Sequence, residues 1–136
     1  MVYTSDIEIQ SKKRTEVINV TTFVEKKLEE SRISDGIACL FSGHTSAAIY
    51  LGIDDKWVAE DFVDFTNSLV PNKPDLKHNI YGGKNADSHL KSILLGNSIT
   101  LPITGSRVDL GSWQGIFFAE FSGPRERKIN IKIIGE

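Results

Sequence analysis

Cysteine is nearly missing from this sequence: Cys39 is the one thiol in 136 residues. One thiol closes no intramolecular disulfide, so no covalent framework is available to hold the fold. Cys39 lies in the apolar segment IACLF and reads as a small buried hydrophobe of a reduced compartment, with nothing beside it to activate the sulfur. Long apolar runs are missing too. None approaches the ~20 residues that cross a bilayer, and the opening MVYTSDIEIQSKK has no apolar stretch of the secretory kind, so a cytoplasmic protein without a membrane partner is expected. An excess of positive charge is also lacking. The formal net charge is −2, and the basic pairs KK and RERK are too short to track a phosphate backbone, which argues against nucleic acid. Neither GxGxxG nor GxxxxGK[ST] occurs, so the common nucleotide loops are excluded, and no GxSxG nucleophile turn is present.

What is present is the composition of an ordinary soluble domain. The 40% hydrophobic and 25% charged residues are enough to build one core, and residues 1–136 are expected to form a single domain. YTSDIEIQS alternates as a strand, and EVINV is a shorter candidate that could return as a hairpin through KKRT. TTFVEKKLEES predicts a helix with Val24 and Leu28 on one face, started by a Thr22–Glu25 capping box and ended by Gly36. Two apolar strands flank His44. DDKWVAEDFVDFTNSLV predicts the strongest helix, with Val58, Phe62, Phe65 and Leu69 on one side, an Asp54 or Asp55 cap and Pro71 after its end. PNKPDLKHNIYGG reads as a long irregular loop, of the length that favours a functional role. NADSHLKSILLG predicts a helix between Asn85 and Gly96, with Ala86, Leu90, Ile93 and Leu94 toward the core. SITLPI, RVDL, GIFFAEF and RKINIKIIG complete the chain as strands. The order β-β-α-β-β-α-α-β-β-β-β, with about three helices, points to an α+β fold on a largely antiparallel or mixed sheet.

The chemistry-bearing residues are few. His44, His78 and His89 are the three histidines, and none falls on a predicted apolar helix face. Asn85 lies one turn before His89 and Ser92 nearly one turn after, a small polar stripe. Three neutral imidazoles meeting at one point would suit Zn²⁺ or a similar divalent ion with a fourth position open. The bland alternative makes His44 a turn residue, His78 loop surface and His89 helix surface. Glu120 stands among Phe117, Phe118, Ala119 and Phe121. A carboxylate there is either partnered by Arg125 or Arg127, or raised in pKa as a general base or metal ligand. Trp113 and Gln114 follow a glycine and are candidates for a pocket wall and an orienting amide, although a core Trp is commoner. Arg125 in SGPRER could hold a phosphate. Thr45 and Ser46 are poor partners for His44, because neighbours on a strand point to opposite faces.

Taken together, GHTSAAI, LKHN, NADSHLKSILLG and LGSWQGIFFAEFSGPRERKINI resemble the YjbQ-like family, small proteins often labelled secondary thiamine-phosphate synthases. The resemblance runs from about Ser5 to the C-terminus. It departs from the family pattern at Gly43, where a proline is usual, at Ser46, where a second threonine is usual, and in LGIDDKWVAED, which replaces an Asn-Glu pair and an Asp-Pro step; Asp61 keeps the acidic position. The resemblance implies an α+β homotrimer with His44, His78 and His89 grouped in a pocket as metal ligands or catalytic imidazoles. Asn85, Trp113, Gln114, Glu120, Arg125 and Arg127 also match. The expectation is a small metal-dependent enzyme acting on a phosphorylated or anionic small molecule. In it the three histidines hold the ion, Glu120 moves protons, Arg125 holds the anion, and Asn85 and the orienting amide of Gln114 complete the catalytic set. The alternative is a trimeric ligand-binding module without turnover. Thiamine-phosphate synthesis itself normally runs on a barrel of about 250 residues, which this chain is too short to form.

Overall fold

Ile129, Ile131 and Ile133 alternate with Lys128, Asn130 and Lys132, and every one of the three isoleucines is buried. They lie on β8 (Glu126–Gly135) in a computed structural model that describes residues 1–136. β8 is flanked by β1 (Val2–Gln10) and β3 (Gly36–Phe41), and β5 (Ser98–Thr104) and β6 (Arg107–Val108) continue the sheet in the order β1-β8-β3-β5-β6. A second sheet has the order β2-β7-β4, from β2 (Glu16–Asn19), β7 (Gln114–Glu120) and β4 (Ala47–Ile53). All pairings are antiparallel. The fold is α+β, with the expected strand order.

The period-two rule then decides what each sheet faces. Ile116 and Phe118 of β7, and Ala47 and Ile49 of β4, join the isoleucines of β8 in one core between the sheets. The alternate residues Ala48, Ala119 and the following Phe121 form a smaller cluster with Tyr50, Phe62 and Leu95. Helix α1 (Thr21–Ser31) sends Val24 and Leu28 into the large core, whereas α2 (Lys56–Leu69) and α4 (Ala86–Leu95) lie on the small one. Ring stacking of Tyr50 on Phe117 and Phe62 couples α2 to the second sheet. No helix is long and apolar enough to cross a membrane.

Several local expectations change. β1 and β2 do not form a hairpin; they pair with β8 and β7 in different sheets, because the core lies between those sheets and each strand must bury its own apolar face. The Thr22–Glu25 capping box is not used. Asn19 Oδ1 accepts the Thr21 N–H at 3.0 Å instead, and Arg32, with φ 60°, ends α1 in place of Gly36. Asp55 does cap α2, accepting from the N–H groups of Trp57 and Val58. The predicted irregular loop contains a short fourth helix, α3 (Lys77–Tyr81).

The largest correction concerns α4. Ala86 is buried as expected, but Ile93 is 78% and Leu94 61% exposed, and Leu90 is exposed as well. The buried side carries Asp87, Ser88, Lys91 and Ser92. Ser88 Oγ donates to the Phe121 carbonyl and Ser92 Oγ to that of Ala47, both at 2.6 Å. Lys91 is 1% exposed and donates to Asp87 and to Asn67 of α2. Carbonyls at the margin of the second sheet need donors once covered, and the polar face of α4 supplies them.

Candidate functional site

Asn85 is the junction of the site. As the residue preceding α4 it would ordinarily cap the helix, yet its side chain makes no cap bond. Asn79 of α3 does that work, with its Oδ1 accepting the Ala86 N–H at 3.0 Å. The Asn85 side chain is thereby released to bridge two elements. Its Nδ2 donates to Ser122 Oγ at 3.1 Å, and its Oδ1 meets His78 Nε2 at 3.0 Å. With the amide nitrogen on Ser122, His78 is the donor, so Nε2 carries its proton. Gly82 and Gly83 make room for the ring, since a Cβ on either would stand 3.0 Å from an imidazole nitrogen.

His89, one turn into α4, packs edge-on to His78 with ring centroids 4.9 Å apart and planes at 81°. Its Nδ1 lies 2.9 Å from the Thr45 carbonyl. A carbonyl only accepts, so Nδ1 carries the proton and Nε2 the lone pair, the arrangement of a general base oriented from behind. Leu76, Ala86 and Leu90 line the hollow of about 580 Å³ beside the two rings.

On the other side of Asn85 is a cleft of about 510 Å³ between the β1–β2 loop, the start of α4 and the β7–β8 turn. Arg14, Lys84 and Arg125 stand around it with Ser122, and no acidic side chain lines it. Arg125 Nε donates to the Ser122 carbonyl at 2.7 Å, which leaves its terminal nitrogens unengaged.

His44 is elsewhere. It borders a separate hollow formed by Glu8, Gln10, Glu126 and Lys128, and its Nε2 accepts the Lys128 N–H at 2.9 Å. β3 ends opposite Asn130, so the imidazole takes up the next ladder position on β8. Its pKa is held below the usual 6.5, first by burial and then by the charge of Arg127. This is the turn residue of the bland reading, given the further task of closing a sheet edge. The three histidines therefore do not meet within one chain, and no three His, Cys, Asp or Glu side chains are placed to share a metal ion. The structure brings together His78, His89, Asn85 and Arg125.

Glu120 takes the partnered alternative. It is fully buried, with Arg127 Nε on Oε1 at 2.8 Å, Arg127 Nη2 on Oε2 at 2.5 Å, Ser11 Oγ on Oε1 at 2.7 Å and the Ser122 N–H on Oε2 at 3.1 Å. Burial pushes its pKa up, but these donors outweigh it and the net direction is down. Such a carboxylate is a strut between β7 of one sheet and β8 of the other, and a poor base. Gln114 starts β7 and Glu120 ends it, about 20 Å apart along an extended strand. Gln114 Oε1 accepts the Gly111 N–H, a turn role remote from the histidine pair, and Trp113 is 75% exposed, outside the core.

The comparisons with known proteins agree with this architecture. The family described as UPF0047 protein YjbQ-like matches residues 5–136. The chain belongs to that family. It is 38% identical to a UPF0047 protein of Methanothermobacter thermautotrophicus over 99% of this chain and 94% of the relative. With UPF0047 protein YugU of Bacillus subtilis it shares 35% identity, over 95% of this chain and 97% of that one. A crystal structure of a YbjQ-like protein of unknown function from Sulfolobus solfataricus superposes with a TM-score of 0.95 at 33% identity, covering 100% and 99% of the two chains. A hypothetical protein from Aeropyrum pernix gives 0.94 at 34%, covering 98% and 99%. Within the family fold, Arg14, Lys84, Ser122 and the Thr45 carbonyl are site components that the sequence did not single out. Arg14 comes from a distant loop and carried no local signal. Asp87 and Lys91, four apart beside two serines, did carry one: a polar stripe on a helix otherwise read as amphipathic.

Proposed function

We propose that this protein binds a phosphorylated or otherwise anionic small molecule at Asn85 and transforms it by acid–base chemistry on the His78–His89 pair. The observation that carries this reading is the bridge made by one side chain. Asn85 joins an imidazole pair of defined tautomers to a cleft walled by cations. The anion sits in the cleft with Arg125, and the less polar body of the ligand lies in the hollow beside Leu76 and Leu90. His89 Nε2 accepts a proton from the bound molecule while the Thr45 carbonyl steadies the imidazolium that forms, and the same nitrogen returns that proton to the product; His78, held by Asn85, packs edge-on to keep the His89 ring in place. The thiamine-phosphate synthase activity that the resemblance implies is one reaction on a phosphorylated substrate, and the cleft supplies the anion clamp it requires. The residues within one chain do not fit a three-histidine metal centre, so no step is assigned to an ion.

The exposed apolar side chains of α2 and α4, Phe65, Leu69, Ile93 and Leu94, support assembly with further copies of the chain, as the family resemblance implies for a trimer. The test of the reading as a whole is a screen of phosphorylated metabolites by ³¹P NMR, with His89→Ala and His78→Ala beside the unaltered protein. Turnover that falls about 10²-fold or more in both variants while binding persists is expected of acid–base groups. Binding without any product in the unaltered protein would favour the module without turnover.

A further inference from the structure

The cleft at Asn85 contains an arginine that is held unlike its neighbours. Arg14 is tethered at both ends. Its carbonyl accepts the Gly123 N–H at 3.0 Å, and its guanidinium forms a two-pronged bond to Asp87, with Nη2 on Oδ1 at 2.8 Å and Nη1 on Oδ2 at 3.2 Å. Asp87 is 2% exposed and also receives Lys91 Nζ at 2.9 Å. The contact between the two loops is backbone-tight. A Cβ on Gly123 would stand 2.3 Å from the Lys13 carbonyl and 2.6 Å from Ser11 Oγ, so only glycine lets the β7–β8 turn approach Arg14. A further bond, from the Arg125 N–H to Ser11 Oγ at 2.9 Å, fixes Arg125 to the same loop.

The charges do not balance. One carboxylate, Asp87, faces two cations, Arg14 and Lys91, and leaves that trio with a net charge of +1. Lys84 and Arg125 add two more positive charges at the cleft, against no acid in its lining. A monocarboxylate needs one guanidinium fork, whereas a tetrahedral dianion is met by several cations and neutral donors from different directions. Here the cations come from three separate segments, with the Ser122 hydroxyl between them.

We infer that Arg14, pinned by Asp87, is the fixed cation of this cleft and that the ligand's anionic end is a phosphate monoester. The inference rests on the cleft being an anion site and adds to it the residue that sets its geometry. Lys84 is the adjustable cation that closes on the phosphate, Arg125 presents its terminal nitrogens from its bond to the Ser122 carbonyl, and Asp87 is a positioning residue.

Isothermal titration with inorganic phosphate, and then with malonate, tests the point on the unaltered protein, Arg14→Gln, Arg14→Lys, Lys84→Gln and Arg125→Gln, with the melting temperature of each recorded. Arg14→Gln should weaken phosphate binding about tenfold or more, the worth of a charge-assisted bond. Arg14→Lys should recover only part of it, because an ammonium keeps the charge and loses the fork; it also serves if the glutamine variant does not fold. Lys84→Gln should cost less than Arg14→Gln. Phosphate binding unchanged in Arg14→Gln but lost in Arg125→Gln would overturn the role of Arg14 while leaving the anion site standing. Malonate binding as tight as phosphate would overturn the phosphate class. No phosphate binding by the unaltered protein at all would remove the anion site and this inference with it.

Discussion

Helix α1 turns Val24 and Leu28 into the core between the sheets and leaves Glu25, Lys26 and Glu29 outside. Helix α4 does the reverse, setting Ser88, Lys91 and Ser92 against the second sheet and leaving Leu90, Ile93 and Leu94 in the open. Both are amphipathic at the same spacing. The difference is in what each meets. α1 meets the side chains of two sheets already facing one another, an apolar surface. α4 meets exposed carbonyls of Ala47 and Phe121, which need donors. An apolar stripe on a helix therefore shows that something must cover it, but not that the chain's own core does.

Truncation is the strongest way to probe this contrast. Leu28→Ala should cost about 2–5 kcal/mol through the lost burial and the cavity; Lys91→Ala should cost about 1–3 kcal/mol, because Asp87 keeps Arg14 but loses the ammonium, and Asn67 loses its donor. Urea unfolding followed by circular dichroism would measure both. If Lys91→Ala costs less than 1 kcal/mol, hydrogen bonding is not what seats α4.

A smaller effect is expected of His44, which closes the ladder of β8. Its folded-state pKa lies below 6.5, so folding favours the neutral ring. That contribution is fully present above pH 6.5 and is lost as pH falls through the folded-state value. Melting temperatures taken between about pH 7 and 5 should decline, and His44→Gln, which keeps an acceptor for the Lys128 N–H without titrating, should flatten the decline. Equal slopes in the two proteins would assign the loss to other groups.

Ile93→Ser should change the stability of the single chain least, within about 0.5 kcal/mol, as for other exposed positions. Its effect should appear in assembly instead. On a sizing column with light scattering, a chain that associates through α4 will shift toward the monomer; an unchanged mass would place the contact elsewhere.

Much of the architecture was legible because it is local. Alternating isoleucines in β8, the Asp55 cap and the stop after α4 all depend on residues close in sequence, whereas the choice between a partnered and a reactive Glu120 stayed open until Arg127 was placed beside it. The orientation of α4 and the failure of β1 and β2 to pair with each other were not legible, since both depend on which surfaces meet after long-range folding. The site divides in the same way. His89 and Asn85 announced themselves by helical spacing, and Arg125 by its place in the turn. Arg14 and the Thr45 carbonyl are brought in from distant loops and left no trace in local pattern. His44 looked like the other histidines until the end of β3 showed which nitrogen was already engaged.

β8 lies between β1 and β3 in the larger sheet, which has a consequence for assembly in time. Residues 2–10 and 36–41 have no direct pairing with each other and must wait for residues 126–135 to zip between them. During synthesis the earliest strand thus stays unmatched until the latest one is made, a topology of high contact order and slow, late closure.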